Sequence, residues 1–152
     1  MKKIISLILL LSLAFTPLRS QSVEYFKDLK DINGISSIFM SKDVLDKVPE
    51  LNYFGKINFQ SIMDKVTSLS VYSGRDRLSK MRMRKQIDEI VSNQKFSPLL
   101  ATQNYYGDRI RVYVEEFEEE SVFIIYTYSQ ADTSLVCITG YFTKEDIKSL
   151  LK

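Results

Sequence analysis

The fold is decided by a strand-like stretch in which every position is apolar, Val122-Phe123-Ile124-Ile125-Tyr126. Successive side chains of a strand point to opposite faces, so both faces of this strand are apolar. One face can pack on helices, and the other face must be covered as well. That second cover is another segment of the chain, a second subunit or a binding partner, and the stretch itself leaves these three alternatives open.

Three further strand-like runs accompany this stretch, and short polar or Gly-containing turns separate them. The four runs cover residues 99–104, 109–117, 122–129 and 134–141. Such spacing is typical of consecutive antiparallel strands. The second half of the chain is therefore predicted to form a four-strand meander.

Two strands are predicted upstream of the meander, over residues 35–40 and 68–72, and a short amphipathic helix is predicted before the first of them. Ser41 is a favourable N-cap for a helix that follows the first strand, and Pro49 ends that helix. Residues 52–58 are expected to form a loop that leads into another short helix.

Two later segments have helical patterns. The longer one covers residues 76–93, where the spacing of four apolar side chains places them on one face. The last helix begins at Thr143, and Asp146 completes a capping-box pattern that satisfies free N–H groups of the first turn. The apolar face of the longer helix consists of Met83, Ile87, Ile90 and Val91.

These elements predict a fold of the α+β class in residues 21–152, arranged as a single domain. We expect helices packed on one face of a mixed, mainly antiparallel sheet, with the four-strand meander followed by the final helix.

The first 20 residues have the pattern of a cleavable export signal. Lys2 and Lys3 precede an apolar run that is too short to span a bilayer, and Pro17 comes shortly before the small residue Ser20. Lipoprotein processing requires a cysteine at the cut, whereas the only cysteine is Cys137. The pattern predicts a periplasmic or secreted protein that is not a lipoprotein.

Net charge gives no support for nucleic-acid binding once the signal is removed. Residues 1–20 contain three basic residues and no acid, so the net charge changes from +2 to −1. A nearly neutral chain has no general electrostatic attraction for nucleic acid or anionic lipid. We therefore expect no nucleic-acid partner, and contact with a membrane surface is not favoured.

The absence of histidine removes most familiar catalytic designs. The chain contains no His and one Cys, which excludes Ser-His-Asp and Cys-His systems, His-ligated zinc and CxxC redox pairs. Cys137 lies in an apolar strand-like run and is interpreted as a buried, inert thiol. No catalytic, cofactor-binding or metal-binding residue is therefore assigned, and no cofactor is expected.

Glutamates are plentiful at the end of one predicted strand and in the following turn. A glycosidase needs two carboxylates at a defined separation in a cleft, but acids in one turn are more simply interpreted as solvated. A hydrolase of an envelope substrate remains the enzymatic alternative. The residues are Glu115, Glu116, Glu118, Glu119 and Glu120.

Two sets of side chains are candidates for an interaction surface. A dense basic set occupies the start of the long helix, where it could hold phosphate head groups or an acidic partner, or form only the solvated face of the helix. A tyrosine set lies in the meander, where it either contacts a partner or completes the core. The residues are Arg75, Arg77, Lys80, Arg82, Arg84 and Lys85 for the basic set, and Tyr113, Tyr126 and Tyr128 for the tyrosine set.

Four short segments, at residues 38–42, 96–100, 111–114 and 136–142, combine packing and turn residues in a characteristic order. In these segments the chain resembles domain-of-unknown-function family 4252, a family of small exported bacterial proteins found mainly in Bacteroidetes. The resemblance extends over nearly all of residues 23–151. It implies an envelope protein of α+β form and transfers no catalytic residue. Many members of the family are lipoproteins, and this chain differs from them because it lacks the lipid-bearing cysteine.

The sequence as a whole favours a non-enzymatic envelope module that binds a protein partner, another envelope component or a second copy of itself. The alternatives are the carboxylate-dependent hydrolase and a peripheral membrane-surface protein that uses the basic helix.

Overall fold

The computed structural model describes residues 25–47 and 59–150. The predicted signal at residues 1–20, the predicted stop at Pro49 and the loop at 52–58 lie outside the described residues. Where the structure describes the chain, it contains three α-helices, two 3-10 helices and six strands. The helices are α1 (Lys42–Leu45), α2 (Arg77–Asn93) and α3 (Lys144–Leu150), and the 3-10 helices are Lys27–Asp31 and Phe59–Lys65. The strands are β1 (Ile35–Ser41), β2 (Val66–Gly74), β3 (Ser97–Gln103), β4 (Arg109–Glu115), β5 (Ser121–Tyr128) and β6 (Thr133–Gly140).

The six strands form one sheet in the order β1-β2-β6-β5-β4-β3. This arrangement confirms the α+β class and the four-strand meander. All five strand pairs are antiparallel, so the prediction of a mixed sheet is wrong. The helix α2 connects β2 to β3, which could have formed a parallel pair. These two strands run in the same direction, but β6, β5 and β4 lie between them, so they do not pair.

The length of α2 matches this crossing. The helix has 17 residues, which corresponds to about 26 Å at 1.5 Å per residue. The strands β2 and β3 are four strand positions apart, or about 19 Å in the sheet. The helix can therefore cross one face of the sheet from one edge region to the other.

Helices cover both faces of the sheet, and this corrects the expected packing on one face. On the α2 face, Met83 and Ile87 pack with Ile124 and Leu135. The same cluster includes Phe26, Leu29, Tyr72, Phe96, Val122, Tyr126 and Cys137. On the opposite face, α1, α3 and the 3-10 helix Phe59–Lys65 contribute to a second cluster. Its members are Leu45, Phe59, Ile62, Val66, Leu69, Val112, Phe123, Ile125, Val136, Ile138, Phe142 and Ile147.

The physical reason is the apolar stretch in β5. Val122 and Ile124 belong to the cluster on the α2 face, whereas Phe123 and Ile125 belong to the opposite cluster. All four side chains are buried. Of the three alternatives for the second cover, another segment of the same chain supplies it.

The two longer helices begin where the sequence predicts, and side-chain hydrogen bonds cap both of them. The Asp76 carboxylate accepts hydrogen bonds from the backbone N–H groups of Leu78 and Ser79, at 3.0 and 2.9 Å, and so caps α2. At α3, the Asp146 carboxylate accepts from the Thr143 N–H at 2.8 Å, and the Thr143 hydroxyl accepts from the Asp146 N–H at 3.2 Å. This confirms the predicted capping box. Ser41 precedes α1 without a side-chain capping bond.

Candidate functional site

The basic helix and the meander meet at a small pocket on the α2 face of the sheet. Two residues of β4 and two of β5 line it because they alternate along their strands and point to the same face. In the sheet register, Arg109 lies opposite Tyr128 and Arg111 lies opposite Tyr126. The residues that line this Arg–Tyr pocket are Arg84 and Asp88 from α2, Arg109 and Arg111 from β4, and Tyr126 and Tyr128 from β5.

One carboxylate is shared by two arginines in the Arg–Tyr pocket. Asp88 lies 3.7 Å from Nε of Arg84 and 3.8 Å from Nη1 of Arg111. The Arg84 guanidinium also lies 5.0 Å from the centroid of the Tyr128 ring, in a cation–π arrangement. Arg109 adds a third guanidinium to the lining. The pocket therefore combines three positive side chains with one negative side chain.

Tyr126 brings a hydrogen-bond donor into this positive surrounding. Its side chain is 4% exposed, and its buried hydroxyl has no hydrogen-bond partner among the described residues. Burial, together with the negative charge of Asp88, raises the pKa of this phenol, although Arg84 and Arg111 oppose the shift. The hydroxyl therefore stays protonated at neutral pH and can donate a hydrogen bond to an oxyanion.

The pocket is about 10 Å³ in volume, which is room for about one water-sized group. Arginine binds carboxylate and phosphate oxygens through paired N–H donors in a fixed geometry. The arrangement suits one oxyanion that projects from a larger molecule.

The structure divides the predicted basic set rather than forming one surface from it. Arg84 lines the Arg–Tyr pocket, and Lys80 donates a hydrogen bond to the carbonyl of Gln130 in the β5–β6 connection. Arg82 and Lys85 line a different groove of about 560 Å³ between α2 and the N-terminal segment. Arg75 and Arg77 are exposed at the start of α2.

That groove, which includes Arg82 and Lys85, carries balanced charge. Asp28 and Glu89 also line it, so its lining contains two basic and two acidic side chains. It lacks the excess of positive charge that the Arg–Tyr pocket has, and it therefore gives less reason to expect an anionic ligand.

The predicted tyrosine surface is largely core, because α2 covers that face of the meander. Tyr126 is buried, and Tyr113 is half-buried against the cluster on the α2 face. Tyr128 is half-buried and contacts Arg84. Of the two alternatives for Tyr126, its burial favours the core, and its side chain also lines the Arg–Tyr pocket.

The glutamates around the β4–β5 turn diverge instead of forming a paired catalytic site. Glu116 accepts a hydrogen bond from the N–H of Lys144 at 2.8 Å, and Glu120 accepts one from the Thr67 hydroxyl at 2.6 Å. Glu118 and Glu119 are exposed. Glu115 is 6% exposed, and burial raises the pKa of its carboxyl. The interpretation as a solvated turn is therefore wrong for Glu115.

Cys137 is buried, as expected for an inert thiol. Its side chain is 3% exposed, and burial raises its pKa to about 12. Across the described ranges, no group of three His, Cys, Asp or Glu side chains could hold a metal ion. None of the helices in those ranges is both long enough and apolar enough to cross a membrane.

A comparison with known protein families matches residues 25–150 to the family model described as Domain of unknown function (DUF4252). The chain belongs to the DUF4252 family. The match confirms the resemblance based on the short sequence segments. No curated protein and no solved structure matches this DUF4252 chain.

Three residues of the Arg–Tyr pocket were missed in this DUF4252 chain by reasoning from sequence: Asp88, Arg109 and Arg111. The spacing Arg109-x-Arg111 places two guanidiniums on one face of a strand, and this signal was available. The sequence does not specify the register of β4 against β5 or the position of α2 above both strands. Those long-range relationships bring Arg84 next to Tyr128 and Asp88 next to Arg111.

Proposed function

We propose that the protein is an exported, non-enzymatic binding module that holds an acidic side chain of a protein partner in the Arg–Tyr pocket. The observation that supports this most directly is the Tyr126 hydroxyl, a buried donor without a partner among the described residues and beside three arginines. A buried donor that lacks a partner costs about 1–3 kcal/mol of stability. A ligand oxygen that accepts this hydrogen bond would relieve that cost.

Charge supports an anionic ligand over a neutral one. Asp88 is shared between Arg84 and Arg111 at distances near the limit for an ion pair. An incoming carboxylate can therefore gain guanidinium N–H donors that Asp88 does not saturate. Because the arginines are partly exposed, salt should weaken the interaction.

At the Arg–Tyr pocket, the small volume supports a binding role over the active site of a hydrolase. Sites that enclose a small molecule usually measure about 300–1,000 Å³, and the Arg–Tyr pocket is far smaller. It contains one carboxylate, Asp88, rather than the pair that a glycosidase uses. A single group displayed by a macromolecule fits these dimensions.

The N-terminal sequence supports the exported location in this proposal. Its basic start, short apolar run and small residue before the predicted cut are typical of an export signal. A partner would then be another protein of the envelope or of the secreted fraction.

Charge-matched double variants test the pocket. Chemical crosslinking in the native envelope, followed by mass spectrometry, should identify partners of the wild-type chain that are lost with Arg109→Ala/Arg111→Ala. The control is Arg75→Ala/Arg77→Ala, which removes the same charge from exposed positions outside the pocket. Equal loss with both double variants would show general electrostatic attraction and would count against the pocket.

A direct titration tests the oxyanion site without a known partner. Acetate, as a probe for a carboxylate, should shift the NMR signals of the Arg109 and Arg111 side chains, and Tyr126→Phe should weaken this binding. The Arg75 signal serves as the internal reference. If vesicles of anionic lipid bind the chain in a salt-dependent way while acetate leaves the arginine signals unchanged, the membrane alternative replaces the proposal.

A further inference from the structure

The outer strand β1 has the composition of a strand that pairs with another chain. It is bonded to β2 on one side, and within the described ranges no strand pairs with its other edge. Its seven residues, Ile35–Ser41, include no charge and no proline. Proteins commonly protect exposed edges with charged residues, proline or bulges. β1 has none of these protections along its paired length.

The opposite edge of the same sheet gives the contrast. β3 contains Pro98, and its register against β4 shifts between Pro98 and Leu100. Proline removes a backbone donor, and an irregular register bends a strand away from a new neighbour. Of the two outer strands, β1 is therefore the one suited to pairing.

Two large apolar side chains are exposed on β1. Ile38 and Phe39 are each 59% exposed. Because they are neighbours in a strand, they lie on opposite faces of the sheet. A new strand at this edge would cover both of them at once, one on each face.

The pattern of polar and apolar residues in β1 is symmetric about Phe39. This symmetry favours a second copy of β1 as the partner strand. The sequence reads Ser37-Ile38-Phe39-Met40-Ser41. An antiparallel pair centred on a two-fold axis at Phe39 places Phe39 opposite Phe39, Ile38 opposite Met40 and Ser37 opposite Ser41. Apolar residues then face apolar residues, polar residues face polar residues, and no charge lies within these five pairs.

We propose that two copies of the chain form a dimer in which β1 pairs antiparallel with β1 of the second copy, centred on Phe39. A two-fold interface requires a surface that complements itself, which the sequence of β1 provides. The pairing extends the sheet continuously from one copy into the other. It lies on an edge of the sheet that does not contribute to the Arg–Tyr pocket, so it is independent of the proposed anion binding.

The oligomeric state of the purified chain tests the dimer. Sedimentation velocity over a concentration series should show a dimer for the wild type and a monomer for Phe39→Lys, because the two lysines would face each other across the axis. Thr102→Lys is the control, since it adds the same charge to an exposed position of the other edge strand. Circular dichroism checks that both variants are folded.

A wild-type chain that stays monomeric throughout the series would overturn the proposal. So would a Phe39→Lys variant that is folded and as dimeric as the wild type. Binding of acetate at the Arg–Tyr pocket would be unaffected by either result, which keeps the two proposals separable.

Cysteine crosslinking tests the register. The native Cys137 is buried, so an introduced thiol is the reactive one. Under mild oxidation or with a short thiol crosslinker, Phe39→Cys should form a covalent dimer, because its two copies face each other directly. In Ser37→Cys, the two copies would lie about 13 Å apart along the strands, so covalent dimer should be lost. The double variant Ser37→Cys/Ser41→Cys should restore it, whereas efficient crosslinking of Ser37→Cys alone would contradict this register.

Discussion

The Arg84 guanidinium lies 5.0 Å from the centroid of the Tyr128 ring and connects the long helix α2 to strand β5. The same arginine lies 3.7 Å from Asp88, which in turn lies 3.8 Å from Arg111 of β4. These contacts bring one helix and two strands together at the Arg–Tyr pocket. The geometry of the pocket therefore depends on the position of α2 on the sheet.

Tyr126→Phe should raise the free energy of unfolding by about 1–3 kcal/mol, because it removes a buried hydroxyl that has no hydrogen-bond partner among the described residues. The ring remains in the core, where it packs with Leu135 and Ile124. Chemical denaturation without ligand measures the change. A loss of more than about 1 kcal/mol would indicate that the hydroxyl is hydrogen-bonded in the folded chain, contrary to the structure.

Substitution on either face of β5 should be costly, because both faces are covered. Phe123→Ala should reduce the free energy of unfolding by about 3–5 kcal/mol and Ile124→Ala by about 2–5 kcal/mol. Phe123 packs at ring distances of 6.3 and 6.4 Å from Phe59 and Phe142, whereas Ile124 belongs to the cluster on the α2 face.

Ile110→Ala is the comparison for these two variants, because Ile110 is 41% exposed. It should cost much less than either of them in the same urea titration. A small effect of Phe123→Ala with a large effect of Ile124→Ala would show that helices pack on one face alone.

Gly34→Ala should destabilise the fold more than Gly107→Ala. Both glycines have positive φ angles, +87° and +84°, which cost other residues about 1–2 kcal/mol. A methyl group at Gly34 would also collide with the Asp76 carboxylate that caps α2, whereas the space around Gly107 is open. Because the two φ angles are similar, the difference in thermal unfolding between the two variants measures the cost of the collision at Gly34. Equal effects would mean that the Asp76 side chain moves aside without cost.

Glu115→Gln should stabilise the chain at neutral pH. Burial raises the pKa of the Glu115 carboxyl above the usual 4.5, although the Lys95 N–H and charge oppose the shift. The folded state thus binds the proton more tightly than the unfolded state, so wild-type stability falls as pH rises from about 4.5 through the raised pKa. The glutamine side chain carries no charge, so Glu115→Gln does not lose stability in this pH range.

The advantage of Glu115→Gln should therefore be present at pH 7 and absent at pH 4. The exposed Glu119→Gln is the matched control and should show no such pH dependence. Denaturant titrations at both pH values decide the matter. A destabilised Glu115→Gln at pH 7 would mean that the carboxylate is held in its charged form.

Asp146→Asn should weaken the chain at neutral pH and not in strong acid. The Thr143 N–H and the Lys65 ammonium, 3.0 Å away, lower the pKa of the Asp146 carboxyl below its usual 3.8. For such a group, the stabilisation is fully present above pH 3.8 and is lost as pH falls through the lowered pKa. Stability curves of the two proteins should converge at low pH, and parallel curves would rule out this ionic contribution.

Local patterns in the sequence predicted the elements where short-range physics decides them. Thr143 and Asp146 mark the start of the last helix because their side chains satisfy free N–H groups of its first turn. The alternation of strands and polar turns predicted the meander. The composition of the apolar stretch in β5 also showed that both of its faces require cover.

Only the tertiary structure decided what supplies that cover and where the charged residues meet. Placing α1, α3 and the 3-10 helix Phe59–Lys65 on one face and α2 on the other depends on contacts far apart in sequence. The same is true of Arg84 and Tyr128, which are distant in the chain and adjacent in space. The sequence by itself determined the elements, the fold class and the membership of the DUF4252 family. The order of the strands and the Arg–Tyr pocket were decided by long-range packing, because no local pattern specifies which of several apolar faces pack together.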